Sequence, residues 1–331
     1  MAVMAQAQPM PEHIRAAAAY SKEQRGTCLL VIHNGRPIWE EYSGGSTAAE
    51  ANKIYSGTKV FWNIAALAAE EDGLLALKDA VADTIDEWRS ERQKSRITIR
   101  QLLDFSGGVG PSFDLHGQTI RDRDAAAIAR PLAVPPGRRF IYGPAPLQVF
   151  HAILKRRLAG RGETPTEYLE RRVLAPMGLG PQRYLADGAG NPLLASGFML
   201  TGRQWAEVGK LLLRGGEPVL RAAPLAERFG GSPVNRAFGL GLWNNWGAGR
   251  FGGRASDAID IEEMLEEDWQ RQRWQGICLC RSAPRDLFAS IGSAGQRLYV
   301  VPSMNLVIVR MGKGAKFCDA RFLGRLFPAT E

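Results

Sequence analysis

Two strand-rich segments near opposite ends of the chain place the strongest limit on its fold. The first is "TCLLVIHNGRPIWEEYSGG", from Thr27, and the second is "QRLYVVPSMNLVIVRMG", from Gln296. Each has two runs of β-forming residues around a turn, because Asn34–Gly35 accepts positive φ and Pro302–Asn305 connects the second pair. The pattern predicts one antiparallel sheet built from both chain termini.

The sequence between the two predicted hairpins has mostly helical patterns. "SGTKVFWNIAALAAEEDG" opens with a serine at the helix cap, has apolar residues at helical spacing and ends at Gly73. "PLQVFHAILKRRLAG" and "TPTEYLERRVLAPMGLG" follow with proline and glycine punctuation. With 331 residues, 45% of them hydrophobic, about two domains are expected. The prediction is an α+β fold with a discontinuous sheet domain, residues 1–80 and 196–331, and a mostly helical domain, residues 81–195, meeting at a cleft.

Composition narrows the classes of function. The net charge is +8, but the basic residues are dispersed and an acidic cluster, "DAIDIEEMLEED", opposes them. A solvated basic surface, with no nucleic-acid partner, is therefore the expectation. The sequence contains no run of 18 consecutive apolar residues, so no membrane span is predicted. The chain has four scattered cysteines, Cys28, Cys278, Cys280 and Cys318. Their number and spacing predict buried free thiols rather than a disulfide framework or a metal site.

The N-terminal segment "MAVMAQAQPMPEH" lacks the basic and apolar regions of a secretory signal. Its "AQA" nevertheless resembles the small-residue end of a cleaved leader. The sequence leaves the location open between an exported, periplasmic protein and a cytoplasmic one. It also leaves the oligomeric state open.

The stretch "YSGTKVFW", Tyr55–Trp62, contains the strongest chemical signal. Residues three apart on a helix are neighbours, so the amine of Lys59 would lie near the hydroxyl of Ser56. A serine becomes a useful nucleophile only when a base removes its proton, and lysine acts as that base only in a desolvated site. The alternative is a serine that caps the helix beside a lysine with no chemical role.

Several further segments, taken in order, resemble the serine β-lactamase and penicillin-binding-protein family, particularly its class C branch and the family VIII esterases. Ser-x-x-K at the start of a long helix is one motif of that family. "ITIRQLLDFSGGVG" resembles its TI-x-x-LL-x-x-x-SG stretch, and "PPGRRFIYGPAPLQVFHAIL" its Tyr-x-Asn region. "RVLAPMGLG", "RAFGLGLWNN" and "ASIGSAGQRLYVVPSMNLVIVRMG" resemble later segments, and the matches extend over residues 25 to 325.

The resemblance implies a serine hydrolase that needs no metal or cofactor and works through an acyl-enzyme. Ser56 would be the nucleophile, Lys59 the general base and Tyr142 a proton relay. The backbone N–H of Ser56 and a second donor near Gly295 or Gln296 would bind the oxyanion. Other residues that the resemblance brings to the substrate site are Ser293, Trp243 and Asn244. Each assignment has a structural alternative. Tyr142 could be a core tyrosine, the glycines of the last strand could mark a bulge, and Trp243 and Asn244 could pack at the edge of the sheet.

Two departures from the family pattern bear on the substrate. Pro144 stands where the family has asparagine, and Ser293-Ala294-Gly295 stands about where Lys-Thr-Gly or His-x-Gly is expected. The missing cation normally grips a substrate carboxylate, so small neutral esters or amides are predicted. Arg297, two residues from Gly295 on one strand face, would restore a cation and keep a β-lactam or muropeptide substrate open. A catalytically silent binding scaffold is the third alternative.

Overall fold

The computed structural model describes residues 9–251, 254–314 and 316–329. The strands are β1 Gly26–His33, β2 Arg36–Tyr42, β3 Asn52–Lys53, β4 Met199–Leu200, β5 Phe238–Gly239, β6 Leu242–Asn244, β7 Arg250–Phe251, β8 Arg254–Ala255, β9 Asp257–Ala258, β10 Ile277–Cys278, β11 Phe288–Gly292, β12 Gln296–Val301 and β13 Leu306–Gly312. The helices are α1 Pro11–Glu23, α2 Lys59–Glu71, α3 Ile99–Leu103, α4 Arg123–Ile128, α5 Ala145–Leu158, α6 Pro165–Leu169, α7 Gly202–Leu213, α8 Leu225–Arg228, α9 Ile261–Glu266 and α10 Asp319–Leu326. The "AQA" of the suggested leader lies outside the described residues.

The main sheet has strand order β2-β1-β13-β12-β11-β6-β5, and its neighbours are antiparallel. The register of the central pair sets Leu30 opposite Val309. An N-terminal hairpin therefore lies beside strands from the C-terminal end, which confirms the predicted α+β fold. The proposed domain limits at residues 81 and 195 stay a prediction. Over the described residues, no helix combines the length and apolar character that crossing a membrane requires.

Helices cover both faces of the sheet. In β1, every residue before His33 is buried, and consecutive strand residues point to opposite faces. Helix α7 packs on β1, β12 and β13, while α1 packs on β1 and α10. Gly209 permits the close approach of α7, because an added Cβ would lie 2.4 Å from Val307. Double coverage explains why β1 reads as a continuous apolar run.

Both predicted hairpin turns are present. Asn34 and Gly35 have φ of 51° and 74° between β1 and β2. Between β12 and β13, a short turn over Pro302–Met304 leads to Asn305 with φ 44°. These left-handed conformations are ones that asparagine and glycine adopt at low cost.

The start of the predicted serine-capped helix needs correction. Residues Tyr55–Thr58 form a 3₁₀ turn, and α2 begins only at Lys59. The N-cap residue of α2 is Thr58, whose side chain makes no capping bond. Ser56 is therefore not the helix cap, and its hydroxyl is available for other contacts. The helix ends at Glu71, two residues before Gly73, as the stop signal predicts.

Candidate active site

The Ser56 turn is held between α7 and β11. The amide of Ile54 donates to Phe198 O at 3.0 Å, and Ser290 Oγ donates to Gly57 O at 3.4 Å. On the other side, a Cβ on Gly57 would lie 2.9 Å from the Trp205 ring. Tyr55, directly before the serine, has φ 48°. A bulky residue in the left-handed region is strained, and such strain is concentrated at functional sites.

Lys59 lies in direct contact with Ser56. Its side chain is buried, and its Nζ donates to Ser56 Oγ at 2.8 Å and to Ala195 O at 2.9 Å. Both partners are uncharged oxygen atoms. The 3₁₀ turn brings the hydroxyl over the first residue of α2, so the three-residue spacing produces the contact that the sequence predicted.

Tyr142 is the third member of this group. Its ring lies 4.8 Å, centroid to Nζ, from Lys59, and the residue is buried. Lys59 therefore contacts the ring face. Within the described chain, the Tyr142 hydroxyl has no hydrogen-bond partner. Gly143 is required beside it, because an added Cβ would lie 1.9 Å from Pro111 O.

Pro144 stands at the N-terminus of α5 and forms no side-chain capping bond. An asparagine at this position would carry a side-chain amide that both donates and accepts hydrogen bonds. Proline has neither a side-chain donor nor a backbone N–H. The departure seen in the sequence therefore removes hydrogen-bonding groups from the start of α5, two residues after Tyr142.

The strand expected to carry the Lys-Thr-Gly motif lies against the Ser56 turn with its residues Ser290–Gly292, three residues before the predicted Ser293–Gly295. A Cβ on Gly292 would lie 2.0 Å from Ile54 O and 3.2 Å from Gly57 N. Ser290 contacts Gly57 O, as described above. Only glycine fits at position 292, since the backbone of the Ser56 turn occupies the space of a side chain. The glycine packed against this turn is therefore three positions before Gly295, and the role of Ser293–Gly295 stays a prediction.

The contacts of Gly295 do not support an oxyanion donor there, because its amide already donates to Glu262 Oε1 at 3.1 Å. The Gln296 side chain donates to Gly312 O at 2.6 Å, across to β13. That contact leaves the backbone N–H of Gln296 unaddressed, so a donor at Gln296 stays a prediction. Ser293 lies exposed at the start of that turn, directly after Gly292.

Arg297 does not supply the missing cation. It is fully buried, donates to both oxygens of Asp319 at 2.8 and 3.0 Å, and contacts Glu262 at 2.8 Å. Those two carboxylates raise its pKa well above the usual value against the opposing effect of burial. Its charge is neutralised inside the protein, so these contacts do not support the alternative, left open by the sequence, that Arg297 binds a substrate carboxylate.

Trp243 and Asn244 have different roles. The Trp243 ring lies 6.4 Å from that of Tyr142, centroid to centroid, in a cluster of aromatic side chains. The Asn244 amide donates to Arg236 O at 2.9 Å, and its oxygen accepts from Trp246 N at 3.2 Å. Trp243 thus walls the site behind Tyr142, whereas Asn244 orders a loop. The substrate-binding assignment of Asn244 is not supported.

His116, to which the sequence analysis assigned no role, lies near the lysines of the site. His116 is exposed, and partial loss of solvation, followed by the charges of Lys59 and Lys53, lowers its pKa to about 4. No motif marked this residue, because only the folding of the 3₁₀ segment Phe113–His116 brings it here.

The cysteines are free thiols: Cys28, Cys278 and Cys280 are buried, and Cys318 is partly buried. Burial raises the pKa of Cys28 to about 12 and that of Cys278 to about 11. Such thiols are poor nucleophiles near neutral pH. Within the described ranges, no group of three or more His, Cys, Asp or Glu residues is arranged to hold a metal ion.

The family model described as Beta-lactamase matches residues 12–321, and the chain belongs to that family. It has the fold of the family's serine hydrolases. No curated protein matches the chain.

Solved structures support the fold at low sequence identity. A class C beta lactamase from Rhodobacter sphaeroides is 16% identical over 94% of this chain and 98% of its own, with a TM-score of 0.63. EstCE1, a hydrolase with promiscuous acyltransferase activity, is 16% identical over 95% and 97%, at 0.67. An octameric penicillin-binding protein homologue from Pyrococcus abyssi is 16% identical over 94% and 75%, at 0.64.

Proposed function

We propose that the protein is a serine hydrolase that acts on small esters or amides through an acyl-enzyme. The observation that carries this proposal is the 2.8 Å contact between the Nζ of the buried Lys59 and the Oγ of the partly buried Ser56. Distances of this size are those over which a base removes a proton from a nucleophile. The fold shared with EstCE1 and the class C enzyme supports the same reaction class.

In the first step, Ser56 Oγ attacks the carbonyl carbon of the substrate while its proton passes to Lys59 Nζ. The tetrahedral intermediate collapses, the bond to the alcohol or amine breaks, and that leaving group departs with the proton. Tyr142, with its hydroxyl unengaged and its ring on Lys59, is the proposed relay for this transfer. Water then attacks the acyl-enzyme with the same groups as base and acid.

The developing oxyanion needs two fixed donors. The proposal assigns them to the backbone N–H of Ser56 and that of Ser293. Ser293 follows Gly292, the residue packed against the Ser56 turn, and it is exposed rather than tied to β13 as Gln296 is. This assignment replaces the one at Gly295, and the backbone N–H of Gln296 remains the alternative.

A preference for neutral substrates follows from the residues that stand where the family has Lys-Thr-Gly or His-x-Gly. Arg297 is sequestered, and the motif position itself carries Ser290 in place of a lysine. A charged hydrogen bond contributes about 1.5–3 kcal/mol, so a carboxylate held only at that position loses roughly 10- to 150-fold in affinity. A β-lactam such as nitrocefin is therefore expected to react far more slowly than p-nitrophenyl butyrate. Equal rates would favour the lactamase alternative.

A fluorophosphonate probe tests the nucleophile directly. Wild type should be labelled at Ser56, as read by mass spectrometry, and Ser56→Ala should not be labelled. Lys59→Met should lower kcat/KM for p-nitrophenyl butyrate by about 10²- to 10⁴-fold, the usual contribution of a general base.

Lys94→Met is the matched control for the base. Lys94 is equally buried but is bound to Glu91 at 2.9 Å, outside the group around Ser56. It should retain the rate if it folds. Wild type that reacts with the probe no better than Ser56→Ala would leave the binding-scaffold alternative in place.

A further inference from the structure

A cavity of about 460 Å³ adjoins the aromatic wall of the site, and its lining is strongly basic. It is bordered by Arg138, Arg139, Phe140, Pro233, Val234, Trp269, Gln272, Arg273, Trp274 and Gln275. Its size is that of a pocket for a small organic molecule. We call it the arginine–tryptophan cavity.

The positive charge of this cavity is not neutralised by nearby carboxylates. None of its lining residues is Asp or Glu. Within the described ranges, Arg138, Arg139 and Arg273 form no ion pair within 4 Å, although the acidic run Glu266–Asp268 directly precedes Trp269. A second cavity, which shares Trp274 and Gln275, adds Arg236 and Arg285 and again contains no acidic residue.

The lining also contains buried polar atoms without partners in the described structure. The indole Nε1 of Trp274 and the Oε1 of Gln272 are buried and make no hydrogen bond. An unpaired buried polar group costs about 1–3 kcal/mol. Of the two, only the Trp274 indole N–H is a donor that a carboxylate could accept from, since the Gln272 oxygen is itself an acceptor.

The cavity is joined to the catalytic group through packed aromatic rings. Phe140 lines the cavity and lies 5.1 Å from Trp274 and 6.3 Å from Tyr142, centroid to centroid. Tyr142 in turn contacts Lys59. These rings are themselves buried, so the inference needs a substrate chain that spans this aromatic cluster between Ser56 and the arginines.

We propose that the arginine–tryptophan cavity is a subsite for a carboxylate at the far end of the substrate, with the tryptophans packing on the apolar chain between. This inference rests on the proposed hydrolase function. It changes the expected substrate from a fully neutral ester or amide to one that is neutral at the scissile bond and anionic at a distance.

The test compares two ester series of equal chain length. One comprises mono-p-nitrophenyl esters of adipate, suberate and sebacate, and the other comprises p-nitrophenyl hexanoate, octanoate and decanoate. In wild type, the ratio of kcat/KM between anionic and neutral ester should reach about tenfold at one chain length, the lower end of the range for a charged hydrogen bond. Arg138→Gln with Arg273→Gln should bring that ratio to about one and leave the neutral series unchanged.

The control variant removes the same charge elsewhere. Arg15 and Arg36 are exposed, on α1 and β2, and form no ion pair within the described ranges. Arg15→Gln with Arg36→Gln should keep the wild-type ratio. A ratio that falls equally in both double variants, or in neither, would overturn the subsite.

A binding measurement separates failure of the subsite from failure of catalysis. Calorimetric titration of Ser56→Ala with 4-phenylbutyrate and with 4-phenylbutyramide needs no turnover. The carboxylate should bind about tenfold more tightly, and the Arg138→Gln and Arg273→Gln changes should abolish that difference. Equal affinities would reject the subsite even if esters are hydrolysed, and a difference would support it even if they are not.

Discussion

At the scale of single residues, the site depends on how Lys59 meets both of its neighbours. It touches the Ser56 hydroxyl through its amine and the Tyr142 ring through the face. Two different properties of tyrosine are therefore separable: the ring that packs on the amine, and the hydroxyl that the proposed relay requires. A substitution that keeps one and removes the other distinguishes them.

Tyr142→Phe keeps the ring and removes the hydroxyl. If the hydroxyl relays the proton, kcat for p-nitrophenyl butyrate should fall about 10²-fold or more, at the low end of general acid–base contributions. KM and thermal stability should change little, because the hydroxyl has no protein partner within the described residues. Unchanged kcat would limit Tyr142 to packing on Lys59.

At the scale of elements, the hairpin of β11 and β12 is fitted to the Ser56 turn by glycine. The clash at Gly292 involves the backbone carbonyl of Ile54, which cannot rotate away as a side chain would. The hairpin is further held by Glu262 of α9, which accepts from Gly295 and pairs with Arg297. The site geometry therefore depends on an exact separation between a turn and a strand that are distant in sequence.

Gly292→Ala should be one of the more damaging small substitutions in the chain. Forcing a methyl into a filled space costs about 1–3 kcal/mol of unfolding free energy, and the displaced turn should also lower kcat. Gly160→Ala is the control, since nothing lies within 4 Å of its added Cβ. Urea denaturation and ester hydrolysis measure the two effects. An alanine variant at position 292 as stable and active as that at position 160 would contradict the close packing.

A buried ion pair attaches α10 to the sheet. Asp319 and Arg297 are both fully buried, and the Tyr299 hydroxyl also donates to Asp319. Arg310 lies close by, and burial together with the charge of Arg297 lowers its pKa to about 10. Two arginines thus share the core with Asp319 and the partly buried Glu262.

Asp319→Asn should destabilise the protein strongly, because it leaves a buried guanidinium without its main counter-charge. Breaking a buried pair in this way costs about 3–5 kcal/mol. Asp257→Asn breaks an exposed pair with Arg281 and should change the free energy of unfolding little. Chemical denaturation of the two variants measures the contrast. Equal effects would mean that Arg297 finds compensation elsewhere.

At the scale of the whole molecule, one carboxyl should give stability a distinct pH dependence. Burial, followed by the negative charge of Asp319, raises the pKa of Asp260 to about 6 from its usual 3.8. The folded protein therefore binds an extra proton between these values. The stabilising contribution of this proton is complete below about pH 4 and is lost as pH rises through 6.

Asp260→Asn should remove that loss while keeping a residue suited to cap α9. The variant should match wild type near pH 4 and exceed it at pH 7–8 by about 1–3 kcal/mol, as a shift of about two pKa units implies. Unfolding free energies across pH 4–8 measure this difference. The same substitution at Asp122, the N-cap of α4, controls for removing a charge from a helix start. Parallel curves for wild type and Asp260→Asn would contradict the prediction.

The sequence by itself determined the features that arise within short segments. The paired hairpins, the turn at Asn34–Gly35 and the three-residue spacing of Ser56 and Lys59 depend on local backbone preferences and on side-chain alternation. The antiparallel sheet from both termini followed from those elements and from the resemblance of segments in their order. The Ser56–Lys59 contact belongs to this group, since one turn of chain carries both atoms.

Only the tertiary structure decided which distant groups meet. The strand residue opposite Ser56 proved to be Gly292, because strand register depends on packing against a turn more than 200 residues earlier. The alternative that Arg297 supplies a cation lost support because Glu262 and Asp319, from two other segments, neutralise it. His116 and the arginine–tryptophan cavity were absent from the sequence reading for the same reason: contacts across the fold leave no local pattern in the chain.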